Sequence, residues 1–258
     1  MADTFSFDLS GRTALVTGAS SGLGAHFSRL LAASGARVVL AARRLDRLEA
    51  LKEEIQSAGG QAVAVALDAA SEPSTIAAYD AADAAFGPVD TVIANAGFNV
   101  RGPVVDYSAD DFDALMSVNL RGVFLTVREG GRRMIAGGSE EHGRGRVVIV
   151  SSITSDYVAT TLAPYSASKA AVAQFGKVVA LEWARLGINV NVIRPGYIRT
   201  DLNAAWFDTE AGDRQVGRFP RRRLVQPSDL DALMLFLASD ASRAVTGSEF
   251  TIDDGQSL

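Results

Sequence analysis

The sequence contains no cysteine and only two histidines, His26 and His142, among its 258 residues. The absence of cysteine excludes disulfides, a thiolate nucleophile and any zinc or iron–sulfur site built on cysteine. A metal site that needs three imidazoles is excluded as well, and we expect no bound metal. Any chemistry must therefore use hydroxyls, amines, carboxylates or a bound cofactor.

The sequence also lacks an excess of positive charge and long apolar runs. Its 25 Lys and Arg residues against 30 Asp and Glu residues give a net charge of −5. A mildly acidic chain offers no electrostatic attraction to nucleic acid or to an anionic membrane surface. No apolar run approaches the roughly 18 residues of a membrane span, and the acidic first residues do not resemble a signal peptide. We expect a cytoplasmic protein without a nucleic-acid or membrane partner.

Short runs of small and β-branched apolar residues recur along the chain, and each is followed by a stretch with helical spacing. Such continuous apolar runs are typical of strands that are buried on both faces. Their alternation with helices predicts an α/β protein, in which a doubly wound, mostly parallel sheet carries helices on both faces. No internal boundary interrupts residues 1–258, which predicts a single domain. The predicted strands are Thr13–Thr17, Arg37–Ala42, Ala62–Leu67, Val89–Ala94, Arg146–Ser151, Ile188–Ile193 and Glu249–Ile252.

Two segments depart from this alternation. Residues 137–143 are polar and rich in glycine, which predicts an exposed loop before a strand. Residues 197–227 show little periodicity, and a loop of this length in a compact domain is usually functional. We predict that residues 197–227 form a lid over a substrate.

Three glycines follow the first predicted strand and open a helix, in the order G-x-x-x-G-x-G. Glycines at such a junction allow a tight turn and a close approach of the backbone to phosphates. The helix N-terminus adds free N–H groups and the positive end of the helix dipole. The turn is therefore predicted to bind the pyrophosphate of a dinucleotide. The residues assigned to it are Gly18, Ser20, Ser21, Gly22, Leu23 and Gly24.

The end of the second predicted strand indicates which dinucleotide is bound. An NAD site usually carries Asp or Glu there to bond the ribose 2′-hydroxyl, whereas arginine suits a 2′-phosphate. Here Arg43 and Arg44 follow the strand directly, and no carboxylate stands at its tip. A bidentate contact with phosphate is a natural use of guanidinium groups, so NADP(H) is favoured over NAD(H). The alternative is that both arginines are simply solvated.

A tyrosine, a lysine and a serine form the strongest candidate for catalysis. Tyr165 and Lys169 are four residues apart and share one face of a predicted helix, and Ser152 ends the preceding strand. The ammonium group of Lys169, together with an oxidised nicotinamide, is expected to lower the pKa of Tyr165 from about 10. Tyr165 would then act as a general acid or base, while the Ser152 hydroxyl orients a substrate carbonyl.

Together these motifs resemble the short-chain dehydrogenase/reductase family, and the resemblance extends from Leu9 to Gly255. It implies a Rossmann-type fold with a seven-stranded sheet, and a catalytic tetrad of Asn119, Ser152, Tyr165 and Lys169. It also implies that Asn119 supports a water-mediated proton relay and that Lys169 binds the nicotinamide ribose. The remaining cofactor contacts that it implies, with Tyr165 and Lys169 among them, are Asp68, Ala69, Asn95, Ala96, Gly97, Pro195, Gly196, Ile198 and Thr200. Departures from the family pattern include Gln256, where a second glycine is usual after Asp254 and Gly255.

Substrate contacts are harder to predict from the sequence. The candidate residues are Ser152, Thr154, Tyr157, Tyr165, Tyr197 and Trp206. Arg218 and the run Arg221 to Arg223 are candidates for an anionic substrate, although solvated or interface arginines are the commoner explanation.

We predict an oxidoreductase that transfers a hydride between NADP(H) and a small, apolar or aromatic ketone or secondary alcohol. The alternatives within the family are an NAD-dependent alcohol or sugar dehydrogenase, a 3-oxoacyl reductase, and an epimerase or dehydratase. An alternative of another class is a non-catalytic, dinucleotide-binding regulator. The resemblance also implies a homotetramer or homodimer, with helix faces around residues 111–136 and 163–186 buried between subunits.

Overall fold

The computed structural model describes residues 7–201 and 203–258. Seven strands form one sheet in the order β3-β2-β1-β4-β5-β6-β7, and every neighbouring pair is parallel. The sheet is therefore entirely parallel, where the sequence predicted mostly parallel. The strands are β1 (Thr13–Thr17), β2 (Arg37–Ala42), β3 (Gln61–Ala66), β4 (Thr91–Ala94), β5 (Gly145–Val150), β6 (Ile188–Pro195) and β7 (Glu249–Ile252).

Helices connect the strands and cover both faces of the sheet, as right-handed crossovers between parallel strands require. The α-helices are α1 (Gly22–Ala33), α2 (Leu45–Ser57), α3 (Glu72–Phe86), α4 (Ala109–Met116), α5 (Val123–Ala136), α6 (Ser139–His142), α7 (Ala163–Trp183), α8 (Ala204–Phe207), α9 (Glu210–Arg218) and α10 (Asp231–Ala238). A π-helical segment, Ser117–Gly122, joins α4 to α5. Short 3₁₀ turns lie at Val104–Asp106, Ile153–Ser155, Ala184–Leu186, Pro227–Leu230 and Asp240–Ser242.

Two apolar cores sandwich the sheet, one on each face. The residues of β1 alternate between them, because side chains along a strand point to opposite faces. Val16 is buried in the core that includes α1 and α10, and Leu15 is buried in the core that includes α3, α5 and α7. This burial on both faces explains the continuous apolar runs in the sequence.

The order of the strands sets the position of the site. Successive strands are added outward from β1 in one direction as far as β3 and in the opposite direction from β4 to β7, so the strand order reverses between β1 and β4. In open α/β sheets, ligands bind at the carboxyl ends of the strands beside this switch point. The glycine turn after β1, the loop after β4 and the serines after β5 all lie at that edge.

Two sequence-based predictions of irregular structure were incomplete. Residues 137–143 include the short helix α6, and Ser139 is fully buried with its hydroxyl donating to the carbonyl of Leu186 at 2.5 Å. Residues 197–227 contain α8, which has only four residues, and α9, whose residues are mostly polar and give no apolar pattern. Some strand ends also shift, since β4 begins at Thr91 and β6 extends to Pro195.

Candidate active site

A cleft of about 430 Å³ opens at the carboxyl ends of the strands. Of the residues predicted to bind cofactor, all except Gly24 line it. They are Gly18, Ser20, Ser21, Gly22, Leu23, Arg43, Arg44, Asp68, Ala69, Asn95, Ala96, Gly97, Tyr165, Lys169, Pro195, Gly196, Ile198 and Thr200. The topology thus brings residues from six separate segments of the chain to one site.

The glycine turn has the geometry that a pyrophosphate needs. Gly18 has a φ of +70°, and a Cβ there would lie 3.0 Å from the Cα of Ala96. Gly24 lies behind the cleft rather than in its wall. A Cβ on Gly24 would lie 2.3 Å from the carbonyl oxygen of Gly18, so this glycine is needed for helix-to-strand packing. At the start of α1 the Ser21 side chain makes no capping bond, which leaves first-turn N–H groups free for an anion.

Arg44 and the serines of the turn form a second anion-binding feature. The Arg44 guanidinium donates to Ser20 Oγ at 2.8 Å and to Ser21 Oγ at 2.8 Å. Arg43 also lines the cleft and is exposed. Arg44 is therefore positioned by the turn itself, whereas Arg43 makes no hydrogen bond or ion pair to the described residues. One guanidinium and two hydroxyls converge where the sequence places a 2′-phosphate.

A threonine at the end of β1 fixes the loop that follows β4. Thr17 Oγ1 accepts hydrogen bonds from the backbone N–H groups of Asn95 and Ala96, both at 3.0 Å. The Asn95 amide in turn donates to the Thr17 carbonyl at 2.9 Å. These bonds hold Asn95, Ala96 and Gly97 against the glycine turn. Asn99, further along the same loop, has a buried Oδ1 without a hydrogen-bond partner, and it faces the cleft.

The candidate catalytic residues meet deep in the cleft. Ser152 follows β5, while Tyr165 and Lys169 lie in the first two turns of α7. Lys169 is 4% exposed, and its Nζ donates to the carbonyl of Val150 at 2.9 Å and lies 5.7 Å from the centroid of the Tyr165 ring. Ser152 Oγ accepts from the N–H and the hydroxyl of Thr154, at 3.2 and 3.0 Å.

The protein alone does not produce the predicted acidity of Tyr165. Burial raises the pKa of the Tyr165 phenol to about 12, and hydrogen bonding to Ser152 offsets only part of that increase. Burial also lowers the pKa of the Lys169 ammonium to about 8. The predicted lowering of the Tyr165 pKa is therefore not produced by the side chains of the site, where burial is the largest influence on the phenol.

Asn119 lies beside the cleft rather than in its wall. It is fully buried in the π-helical segment, and its amide donates to the carbonyl of Phe98 at 2.9 Å while its Oδ1 accepts from the N–H of Phe98 at 2.9 Å. Asn119 therefore fixes the loop after Gly97, and its role in a proton relay stays a prediction. Segments of π-helix often occur at functional sites.

The predicted substrate residues divide between two cavities. Ser152, Thr154, Tyr165 and Tyr197 line the cleft. Tyr157 and Trp206 line a neighbouring outer cavity of about 700 Å³, which Tyr197 also borders.

The arginines that the sequence suggested for binding an anionic substrate have different surroundings. Arg221 and Arg223 pair with the carboxylate of Asp254, at 3.0 and 2.7 Å, which supports the structural explanation for that run. Arg218 lines the outer cavity. His26 pairs with Asp231 at 2.6 Å, away from the cleft.

Sequence reasoning missed several residues of the site. Arg101, Leu162 and Asn203 line the cleft, and Arg101 also borders the outer cavity. These residues lie in irregular segments that no motif marks, so only the folded chain brings them together. The described residues contain no group of three or more Asp, Glu or His side chains able to hold a metal ion. In the same part of the chain, no helix has the length and hydropathy to cross a membrane.

Comparison with known proteins identifies the class. A sequence model for the short chain dehydrogenase family matches residues 12–211. The chain is 35% identical to gluconate 5-dehydrogenase of Gluconobacter oxydans over 250 residues, which covers 96% of each protein. It is 34% identical to D-threitol dehydrogenase of Mycolicibacterium smegmatis, over 98% of this chain and 96% of that protein.

A solved structure supports the same conclusion. The crystal structure of a gluconate 5-dehydrogenase from Burkholderia cenocepacia, in complex with NADP and tartrate, superposes with a TM-score of 0.91 at 36% identity, covering 97% of this chain and 96% of that one. The protein belongs to the short-chain dehydrogenase/reductase family. It is an NAD(P)-dependent oxidoreductase that acts on alcohol or carbonyl groups.

Proposed function

We propose that this protein transfers a hydride between NADP(H) and a small ketone or secondary alcohol, with Tyr165 as the general acid and base. The observation that carries this proposal is the convergence of the glycine turn, Arg44, Ser152, Tyr165 and Lys169 in one cleft. The free N–H groups of α1 and the unpartnered Oδ1 of Asn99 provide polar atoms for a bound dinucleotide. When it is bound, the nicotinamide supplies or accepts the hydride.

The side chains of the cleft would donate or accept the proton of the substrate oxygen. In the reducing direction the substrate oxygen accepts hydrogen bonds from Ser152 and Tyr165, and the Tyr165 proton moves to that oxygen as the carbon receives hydride. In the oxidising direction the phenolate of Tyr165 takes the proton of the alcohol. A phenol with a pKa of about 12 is almost entirely protonated at neutral pH, so positive charge near it must increase in the working complex for the phenolate to form. Lys169 and an oxidised nicotinamide are the two groups expected to provide that charge.

Arg44 supports NADP(H) as the preferred cofactor. Its guanidinium is already oriented by Ser20 and Ser21, so binding a 2′-phosphate requires little loss of side-chain freedom. The crystal structure from Burkholderia cenocepacia, which contains NADP, supports the same choice. A sugar or polyol dehydrogenase that uses NAD is the second candidate; the names of the two relatives support the class of substrate and mention no cofactor.

The lid and the oligomer also belong to this proposal. Residues 197–227 include Tyr197, which borders both cavities, and the helices α8 and α9, which line the outer cavity. We propose that these residues cover the substrate. Large apolar side chains remain exposed on the helix faces predicted to meet another subunit. Phe112, Phe124, Ile135, Val178 and Leu181 are each at least 40% exposed, as an interface between copies of this chain would need.

A screen with both cofactors tests the function directly. Oxidation of NADPH and NADH is measured with a panel of ketones, and reduction of NADP⁺ and NAD⁺ is measured with alcohols and polyols. We expect turnover with at least one pair and a higher kcat/KM for the phosphorylated cofactor. A preference for NAD(H) would reject the role of Arg44. The absence of turnover with every pair, in protein that binds NADPH, would reject the enzymatic proposal for these substrates.

A further inference from the structure

The outer cavity beside the catalytic cleft has an unusual distribution of charge. Its wall contains three arginines, Arg101, Arg214 and Arg218, and no Asp or Glu among the described residues, although Leu258, which carries the terminal carboxylate, also lines it. The other lining side chains are aromatic, small or neutral, and they include Tyr157, Thr160, Tyr197, Trp206, Gln215 and Phe219. A cavity lined in this way attracts anions, since low-dielectric walls focus the field of its charges.

The three arginines are not equivalent. Arg214 is exposed and pairs with Glu210 at 3.2 Å, so its charge is partly neutralised. Arg218 is exposed and makes no ion pair or hydrogen bond within the described part of the chain. Both lie at the solvent side, where an ion pair contributes little. Only Arg101 is half-buried, and only Arg101 lines both the outer cavity and the catalytic cleft.

The guanidinium of Arg101 is held in place without an anion. Its Cζ lies 4.3 Å from the centroid of the Trp206 ring, and that ring is fixed by a 2.7 Å hydrogen bond from Nε1 to Gln215 Oε1. No carboxylate in residues 7–201 or 203–258 pairs with Arg101, and burial lowers the pKa of its guanidinium. A half-buried charge without a counter-ion is unfavourable, so a bound anion would be stabilised at this position. Stacking on one face leaves the N–H edge free for a planar anion.

Tyr197 links this charge to the catalytic residues. It borders both cavities, and its ring is stacked on Phe219 at 5.6 Å and meets Phe207 edge-on at 6.1 Å. Its backbone N–H donates to the buried Gln256 Oε1 at 2.6 Å. Tyr197 and Arg101 thus both border the cleft that contains Ser152 and Tyr165, and both border the outer cavity.

We propose that the physiological substrate carries a carboxylate, and that Arg101 binds this group while Ser152 and Tyr165 bind the reacting oxygen. The substrate class is a hydroxy acid or its oxo acid. A carboxylate is favoured over a phosphate ester because a single half-buried guanidinium balances a single negative charge. Arg214 and Arg218 would raise the local concentration of anions without a direct role in binding. This inference deepens the proposed function and rests on it.

Binding measurements test the carboxylate site without turnover. The Tyr165→Phe variant, saturated with NADP⁺, is titrated by calorimetry with D-gluconate and with D-glucitol, which has CH₂OH in place of the carboxylate. The pair levulinate and levulinamide repeats the comparison with a shorter chain. We expect at least one acid to bind about tenfold or more tightly than its neutral partner, as a charge-assisted hydrogen bond provides.

Variants then assign the effect to Arg101. Arg101→Met, which keeps much of the packing on Trp206, should abolish the preference for the acid, and Arg101→Lys should retain part of it. Arg185→Met is the matched control, since Arg185 is exposed just before the amino end of β6, at the edge opposite the cleft. Far-ultraviolet circular dichroism and NADPH affinity verify that each variant is folded.

Three outcomes would overturn the proposal. They are equal binding of acid and neutral partner in both pairs, an unchanged preference in Arg101→Met, and tighter Arg101-dependent binding of D-glucitol 6-phosphate than of D-gluconate. The last outcome would assign the site to a phosphate ester. Failure of the proposed function is recognised separately, because it would leave the binding preference intact while the wild-type protein showed no turnover in the cofactor screen.

Discussion

Lys169 illustrates how a functional requirement opposes stability at a single residue. Its ammonium group is almost fully buried, and its Nζ donates to one backbone carbonyl. Burial holds its pKa at about 8, against 10.5 for the free side chain. Below pH 8 the folded protein therefore holds a charge that the unfolded chain solvates better. Between pH 8 and 10.5 the unfolded chain binds more protons, so stability rises with pH across that window.

Lys169→Met should consequently stabilise the protein at neutral pH and abolish turnover. After allowance for the lost hydrogen bond to Val150, we expect the free energy of unfolding at pH 7 to rise by about 1–3 kcal/mol. The gain should shrink at pH 9.5, where the wild-type lysine is largely neutral. Urea unfolding of both proteins at the two pH values measures this. A variant that is less stable than the wild type at pH 7 would contradict the account.

Arg44 and Arg43 provide a matched pair for cofactor selection. The sequence identified both, but only the structure distinguishes them, because hydrogen bonds to Ser20 and Ser21 fix Arg44 alone. We expect Arg44→Gln to weaken NADP⁺ binding by roughly 10- to 100-fold, the effect of one or two charge-assisted bonds, with little change for NAD⁺. Arg43→Gln should have a smaller effect. Fluorescence titration of each variant with both cofactors measures these affinities. Equal losses of affinity for NADP⁺ and NAD⁺ in Arg44→Gln would reject the assignment of Arg44 to the 2′-phosphate.

At the scale of elements, β1 and the loop after β4 depend on one hydroxyl. Thr17 Oγ1 accepts from two backbone N–H groups and is buried. Thr13, at the start of the same strand, is equally buried, but its Oγ1 has no hydrogen-bond partner. The two threonines are thus equally buried in the same strand but differ in what their hydroxyls bind.

Thr17→Val should lower the free energy of unfolding by about 1–3 kcal/mol, because two partly buried backbone donors lose their acceptor, and should weaken NADPH binding. Thr13→Val is the control, and it should be neutral or stabilising since it removes an unpartnered polar atom. Denaturant unfolding and NADPH titration measure both effects. Similar losses in the two variants would contradict the proposed role of Thr17.

The geometry of the π-helical segment between α4 and α5 could not be predicted from the sequence. The sequence places Asn119 by resemblance alone, and hydrophobic periodicity cannot distinguish a π-helical turn from the α-helix around it. In the fold, the extra residue per turn aligns Asn119 with the backbone of Phe98. The helices α6, α8 and α9 were not predicted either, since α6 and α8 have only four residues each and α9 has few apolar side chains.

At the scale of the whole molecule, the parallel sheet followed from the sequence because its central strands β1, β4 and β5 are buried throughout and produce near-continuous apolar runs. The glycine turn, Ser152, Tyr165 and Lys169 were also predictable, since the carboxyl edge of such a sheet collects the residues that end its strands. The pKa of Tyr165 and the position of Arg101 were not, because both depend on burial by distant segments. Arg101 lies in the loop after β4, but its surroundings come from α8 and α9.

The exposed apolar helix faces predict that this protein associates with itself. Leu181 on α7 is 82% exposed and lies in the range predicted to meet another subunit. We expect Leu181→Glu to shift the protein toward smaller species in sedimentation velocity, because a buried charge disfavours the interface. Val105→Glu is the control, at a residue that is 89% exposed outside both ranges. A monomeric wild-type protein, or equal effects of the two variants, would contradict the prediction.

The central claim is that Tyr165 transfers the proton, and the Tyr165→Phe variant tests it most directly. Single-turnover oxidation of bound NADPH, with a ketone that the wild type reduces, isolates the chemical step from cofactor binding. We predict that Tyr165→Phe lowers this rate by about 10²- to 10⁴-fold, the usual contribution of a general acid, while NADPH affinity stays within about twofold. A rate within tenfold of the wild type, in a variant that binds NADPH normally, would contradict the account.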